Sequence, residues 1–240
     1  MRTLEGLTVV MTGAAGGIGS AAAMQIAKPG VRLAICGKSE EKLAALADRL
    51  SAAGAEVFAR AADVTRPEQI EDFMEAAYRR FGRLDILVNF AGLSVTARTE
   101  ELSEADYDRV MDVNVKGMFF AVKSFAARSD PERGGLIVNF GSMAAKRANP
   151  GAPHYSAAKA AVNLFSEGLA RQLKSRNIRV TVVNPGPTDT DFFAGRIPPE
   201  KRTDFLRPED VAELLEFIMT RDDRVIFHDV MFESFGFFQR

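Results

Sequence analysis

Cysteine and histidine are scarce in this chain, and each scarcity excludes a kind of chemistry. One cysteine, Cys36, cannot close an internal disulfide. It falls in the apolar run 31–36, which reads as a buried strand, so packing is a better account of it than nucleophilic attack. His154 and His228 are the only histidines, and no Cys/His/carboxylate cluster with metal-ligand spacing accompanies them, so no metal is expected. No run of eighteen apolar residues exists, which argues against a membrane span. Residues 1–6 lack the apolar stretch of a secretory signal, and a cytoplasmic protein is expected. An excess of positive charge is missing too: 31 Lys and Arg stand against 32 Asp and Glu, for a net charge of -1. That leaves no basic field to draw in nucleic acid or anionic lipid.

What is present is ordered. At 240 residues, 47% hydrophobic and 26% charged, the chain suits one α/β domain spanning 1–240, and no linker or internal repeat divides it. Strand-like apolar runs occupy 7–12, 31–36, 56–61, 84–89, 136–140 and 178–184, with a seventh expected near 225–227. Helical spacing fills 39–53, 67–81, 104–128 and 157–176, and Arg207-Pro208-Glu209-Asp210 opens a further helix over 211–219. Alternating strands and helices, both apolar, imply a parallel sheet covered on both faces. The expected fold is therefore a three-layer, doubly wound, Rossmann-like α/β sheet, whose ligands bind at the carboxyl ends of the strands.

The residues at those ends carry the chemical signal. Thr12-Gly13-Ala14-Ala15-Gly16-Gly17-Ile18-Gly19 follows the first strand and enters a helix. Its glycines let backbone approach a pyrophosphate, and the helix start aims N–H groups at the same anion. Tyr155 and Lys159 stand at i and i+4, on one helix face. A neighbouring ammonium favours the phenolate, so the pair could exchange a proton with an alcohol near neutrality. Ser142, just beyond the fifth strand, could hydrogen-bond a substrate oxygen. Asn114 is an amide inside the apolar-periodic run 104–128, where it is out of character.

Taken together, the glycine loop, Asn89-Phe90-Ala91-Gly92, Asn114, Ser142, Tyr155/Lys159 and Pro185-Gly186, in this order, closely resemble the short-chain dehydrogenase/reductase family in its single-domain form. The resemblance runs from residue 7 to about 219. It implies hydride transfer between a nicotinamide cofactor and a small carbonyl or alcohol substrate, with Tyr155 as general acid and base. Lys159 would bind the nicotinamide ribose and depress the tyrosine pKa, Ser142 would orient the substrate oxygen, and Asn114 would link the lysine to solvent. For the cofactor, Gly13, Gly17, Ile18 and Gly19 would cradle the pyrophosphate, and Asp63 and Val64 would meet the adenine. Asn89, Ala91 and Gly92 would line the fold behind the adenine ribose, and Pro185, Gly186, Thr188 and Thr190 would hold the carboxamide end. After the second strand, Gly37 stands where an acid would select NAD, and Lys38 follows, able to reach a 2′-phosphate. NADP(H) is therefore favoured, with NAD(H) as the alternative.

Three departures from the family pattern stand out. Phe90 replaces a second asparagine, which implies local repacking. Lys28-Pro29-Gly30 ends the first helix abruptly. The C-terminus is rich in phenylalanine, as expected of a segment buried against a neighbouring subunit or over the substrate cleft; a homo-oligomer, tetramer or dimer, is implied. The segment 190–207 would form a lid with Phe192, Phe193, Ile197 and Phe205 among Arg196, Lys201 and Arg202, loosely suited to an apolar ketone or a 3-oxoacyl thioester. Two other classes bear on the reading. An epimerase or dehydratase of the longer relatives would need a further domain, and a catalytically silent dinucleotide-binding regulator would be free to lose Ser142, Tyr155 or Lys159.

Overall fold

Seven parallel strands form one sheet, in the order β3-β2-β1-β4-β5-β6-β7. They are β1 (Thr8–Thr12), β2 (Arg32–Gly37), β3 (Glu56–Ala61), β4 (Ile86–Asn89), β5 (Gly135–Phe140), β6 (Ile178–Pro185) and β7 (Asp229–Phe232). This computed structural model describes residues 3–238; the remaining four of the expected 1–240 domain, at positions 1, 2, 239 and 240, lie outside the described residues.

The five inner strands are buried on both faces, the edge strands β3 and β7 are partly exposed, and the inner side chains alternate between two cores. Val9, Met11, Leu33, Ile35, Ile86 and Val88 point into one, packed with residues of α1 (Gly17–Ile26), α2 (Glu40–Ala52) and α7 (Pro208–Met219). Val10, Ala34, Cys36, Leu87 and Ile137 point into the other, against α3 (Pro67–Phe81), α5 (Gly117–Arg128) and α6 (Pro153–Gln172). The period of two along each strand thus becomes three layers. Cys36 is fully buried, and burial pushes its thiol up to about 12 against a smaller lowering by the Gly13 backbone.

Helix ends follow local chemistry. Ser39 caps α2 by accepting from Lys42 N at 3.2 Å, and Ser103 caps α4 (Glu104–Met111) by accepting from Asp106 N at 3.1 Å. Pro208 opens α7, and the Asp210 carboxylate accepts from Arg207 N at 2.8 Å. The abrupt stop at Lys28-Pro29-Gly30 has a tertiary use. Lys28 Nζ meets Glu216 of α7 at 2.6 Å, and Gln25 donates to the same carboxylate.

Two expectations are corrected. The single helix over 104–128 is interrupted by a π-turn, Asp112–Lys116, between α4 and α5. A wider turn shifts the face that each later residue presents, and Asn114 sits within it. The seventh strand is Asp229–Phe232, not 225–227. Its ladder with β6 begins where Asp229 pairs with Val182, whereas the Val225 carbonyl accepts from Arg179 and the Phe227 ring packs on Phe217. Strand propensity in a three-residue run yields to tertiary partners.

Among the described residues, no helix is long and apolar enough to cross a membrane, and no group of three or more His, Cys, Asp or Glu is placed to hold a metal ion.

Candidate active site

The sheet order reverses direction beside β1, between β1 and β4, and a crevice opens there at the carboxyl edge. A cleft of about 720 Å³ fills it, lined by the loop after β1, the ends of β4, β5 and β6, residues of the segment 190–205, and Phe237. That volume suits an extended small-molecule ligand.

The glycine loop forms one end. Gly13 adopts φ 67, which an L side chain resists, and a Cβ there would lie 2.6 Å from Ala91 N. Only glycine lets the end of β1 lie this close to the end of β4. Gly16 is the N-cap of α1 and offers no side chain to it. The first-turn N–H groups of Gly17, Ile18 and Gly19 are thereby left to an anion at the positive end of the helix. This is the arrangement a dinucleotide pyrophosphate fits.

Ser142, Tyr155 and Lys159 form the other end. Tyr155 and Lys159 ride on α6, and Ser142 follows β5. Lys159 is 4% exposed; its Nζ donates to Phe140 O at 2.8 Å and stands 5.8 Å from the Tyr155 ring centroid. Burial pushes the ammonium down to about 8. Burial also pushes the Tyr155 hydroxyl up to about 12, against weaker lowering by a hydrogen bond with Ser142 and by the Arg196 charge. The expected lowering by Lys159 is thus not what the chain shows. Desolvation of the buried phenol dominates.

Ser142 is held by residues that sequence reasoning missed. Its N–H donates to Asn184 Oδ1 at 2.8 Å. The Asn184 and Asn163 amides exchange two hydrogen bonds, Asn163 Nδ2 also reaches Lys159 O, and Asn184 Nδ2 reaches Asp229 Oδ1 at 2.7 Å. One amide pair ties β6, β7 and the helix of Tyr155 to the serine. The only sequence signal was polarity in the strand end 183–185.

Of the other candidates, Gly92, Pro185, Gly186, Thr188 and Thr190 join the cleft wall. Asn89 and Ala91 lie behind it: Asn89 accepts from Thr12 Oγ1 at 3.1 Å and donates to Asn139 at 2.9 Å, across one row of β1, β4 and β5. Asn114 donates to Leu93 O and Val110 O, both at 2.8 Å, while its buried Oδ1 has no partner. A carbon added at Gly92 would lie 3.0 Å from that Oδ1 and 3.3 Å from Lys159 Nζ, so both atoms border one small space. Val64 packs on Gly117, and neither it nor Asp63 lines the cleft. Lys38 also stays off the cleft wall and pairs with Asp63 at 3.0 Å. A different lysine, Lys42, lines the cleft with the glycine loop. Phe90 packs its ring 4.6 Å from Phe140 and joins the wall, which is the repacking its departure implied.

The family model for short chain dehydrogenase matches residues 7–201. The chain is a short-chain dehydrogenase. An uncharacterised oxidoreductase of Methylorubrum extorquens is 36% identical, covering 98% of this chain and 99% of the relative. Among solved structures, an alcohol dehydrogenase from the archaeon Thermococcus sibiricus, complexed with 5-hydroxy-NADP, superposes with TM-score 0.88 at 30% identity, over 96% of this chain and 97% of its own. A blue fluorescent protein from a metagenomic library, in complex with NADPH, gives TM-score 0.87 at 31% identity, over 97% and 98%.

In this dehydrogenase Gly141 stands at the tightest point of the site. A Cβ there would lie 1.9 Å from Asn184 Oδ1 and 2.8 Å from Asn163 Nδ2. Gly141→Ala should therefore displace the amide pair and Ser142 with it, costing about a hundredfold in turnover, as ångström-scale misplacement does. Steady-state kinetics beside circular dichroism checks this. A folded variant within about twofold of wild type would show that the contact does not set the serine.

Proposed function

We propose that this dehydrogenase reduces and re-oxidises a small carbonyl/alcohol pair, with Tyr155 as the acid and base. The observation that carries the reading is one cleft with an anion-ready helix start at one end and Ser142, Tyr155 and Lys159 at the other. The bound nicotinamide would supply or accept the hydride. Ser142 Oγ and the Tyr155 hydroxyl hold the substrate oxygen, and Tyr155 gives it a proton in reduction. With burial keeping the phenol protonated near neutrality, the resting group is the acid that reduction needs. Lys159 serves the nicotinamide ribose, and Asn114, beside it across the space at Gly92, links the lysine to solvent. Pro185, Gly186, Thr188 and Thr190 bind the carboxamide end.

Tyr155→Phe should lower turnover about a hundredfold to ten-thousandfold while dinucleotide binding, read by calorimetry, stays near wild type. In the wild type, alcohol oxidation needs the phenolate and should climb with pH across the neutral range, whereas carbonyl reduction should not. A Tyr155→Phe protein with half its activity, or oxidation flat with pH, would exclude Tyr155 as the base.

NADP(H) is our preferred cofactor, with NAD(H) second. Gly37 leaves the 2′ position without a repelling acid, and two structural neighbours carry NADP forms. Lys38 would have to exchange its Asp63 partner for a phosphate, and Lys42 offers a second cation. The preference in kcat/KM for NADPH over NADH should shrink in Lys38→Ala and again in Lys42→Ala. A wild type preferring NADH would refute it.

Self-association belongs to the outer face of α5 and α6. There Phe119 and Phe165 meet at 5.8 Å and Leu164 is 72% exposed, an apolar face that a second copy would cover. Leu164→Glu should lower the sedimentation mass to that of a smaller species; an unchanged oligomer would move the interface elsewhere.

A further inference from the structure

The substrate end of the cleft is walled by phenylalanine. Phe192, Phe193, Phe205 and Phe237 form an edge-to-face chain, with successive centroids 5.3, 5.2 and 5.8 Å apart. Phe192 stands 6.0 Å from the Tyr155 ring. The C-terminal turn Phe235–Phe238 thus contributes Phe237 to the site, while Phe235 and Phe238 face outward.

One cation sits on this wall. The Arg196 guanidinium carbon lies 4.7 Å from the Phe192 centroid and 5.4 Å from that of Phe193. Arg196 lines the cleft with Tyr155 and Ser142. It donates to the Phe192 carbonyl. Its neighbours are neutralised: Arg202 meets Asp189 at 2.7 Å, and Arg147 meets Glu233 at 3.0 Å. Among the described residues, Arg196 has no carboxylate within ion-pair distance, and Asp191 on the same lid segment does not reach it. Partial burial strips water from the cation and lowers its pKa, and the Tyr155 oxygen only partly offsets that loss.

Rings against a guanidinium fix its plane and leave in-plane N–H groups for a ligand. That fork matches a carboxylate, which can take two parallel hydrogen bonds. We propose that Arg196 binds a carboxylate of the substrate, so that the preferred substrate is an oxo acid with an apolar or aryl body and its carboxylate a few atoms from the reacting carbonyl. The short span follows from Phe192, whose ring centroid lies 4.7 Å from the Arg196 guanidinium carbon and 6.0 Å from the Tyr155 ring. In reduction the carbonyl carbon takes the hydride, the oxygen takes the Tyr155 proton, and the carboxylate is unchanged. The inference rests on the reductase reading above and narrows its substrate class.

The test compares benzoylformate and 3-benzoylpropanoate with their methyl esters, using NADPH and NADH, in the wild type, Arg196→Gln and Arg196→Lys. At least one acid should exceed its ester in kcat/KM by about tenfold or more, the scale of one charge-assisted pair, mainly through KM. Arg196→Gln should erase that preference, and Arg196→Lys should keep part of it, having the charge without the fork. A second readout is calorimetric binding of the same acids and esters to the cofactor-loaded Tyr155→Phe protein, alone and combined with Arg196→Gln. Esters reduced as well as acids, or an acid preference untouched by Arg196→Gln, would overturn the inference and leave the reductase reading standing. Acids bound through Arg196 without any wild-type turnover would overturn the reductase reading and leave the carboxylate site. Neither binding nor turnover would overturn both.

Discussion

All seven strands run in one direction, so every strand ends at the same edge of the sheet, and each turn that follows is delivered there. The loop after β1, residues 90–92 after β4, Gly141 and Ser142 after β5, and the segment from Pro185 to Thr190 become neighbours for that reason alone. The reversal of strand order beside β1 keeps α1 and α5 on opposite faces and leaves the crevice between them unfilled. Helices on both faces then keep water from the strands, so polar groups at the edge sit in protein rather than solvent.

Burial sets the rest of the chemistry. An unpaired amide inside a protein is costly, and the amides near this site are almost all paired. Thr12, Asn89, Asn139 and Ser166 form one chain of hydrogen bonds beneath the crevice, and Asn163 and Asn184 form a second around Ser142. The exception is Asn114 Oδ1, beside the Lys159 ammonium and the bare Cα of Gly92. The same desolvation acts on the ionisable pair. It raises Tyr155 and lowers Lys159, moving both toward their neutral forms, so the protonated phenol is the stable state of the Tyr155 hydroxyl.

The segment 190–207 and the C-terminus add apolar surface at the Tyr155 end of the cleft. The aromatic chain from Phe192 to Phe237 joins segments far apart in sequence. The ion pairs Arg147–Glu233 and Lys146–Asp229 (2.7 Å) fasten the last strand to the turn after Ser142. An apolar wall of this kind lowers the local dielectric and strengthens whatever charge remains on it.

By itself the sequence determined what depends on neighbours a few residues apart. Short apolar runs and helical spacing located six of the seven strands and nearly all the long helices. The glycine run at 13–19 and the i, i+4 placement of Tyr155 and Lys159 were equally legible, because one turn of backbone is enough to define each. Only the tertiary structure decided the π-turn around Asn114, the start of β7 opposite Val182, and the commitment of Lys38 to Asp63. It alone brought Asn184 under Ser142 and Phe237 against Phe205. Each of these rests on a partner dozens of residues away or, for the π-turn, on a backbone hydrogen-bond shift within an otherwise continuous helical run. No local pattern in the chain records such a partner; the packed sheet supplies it.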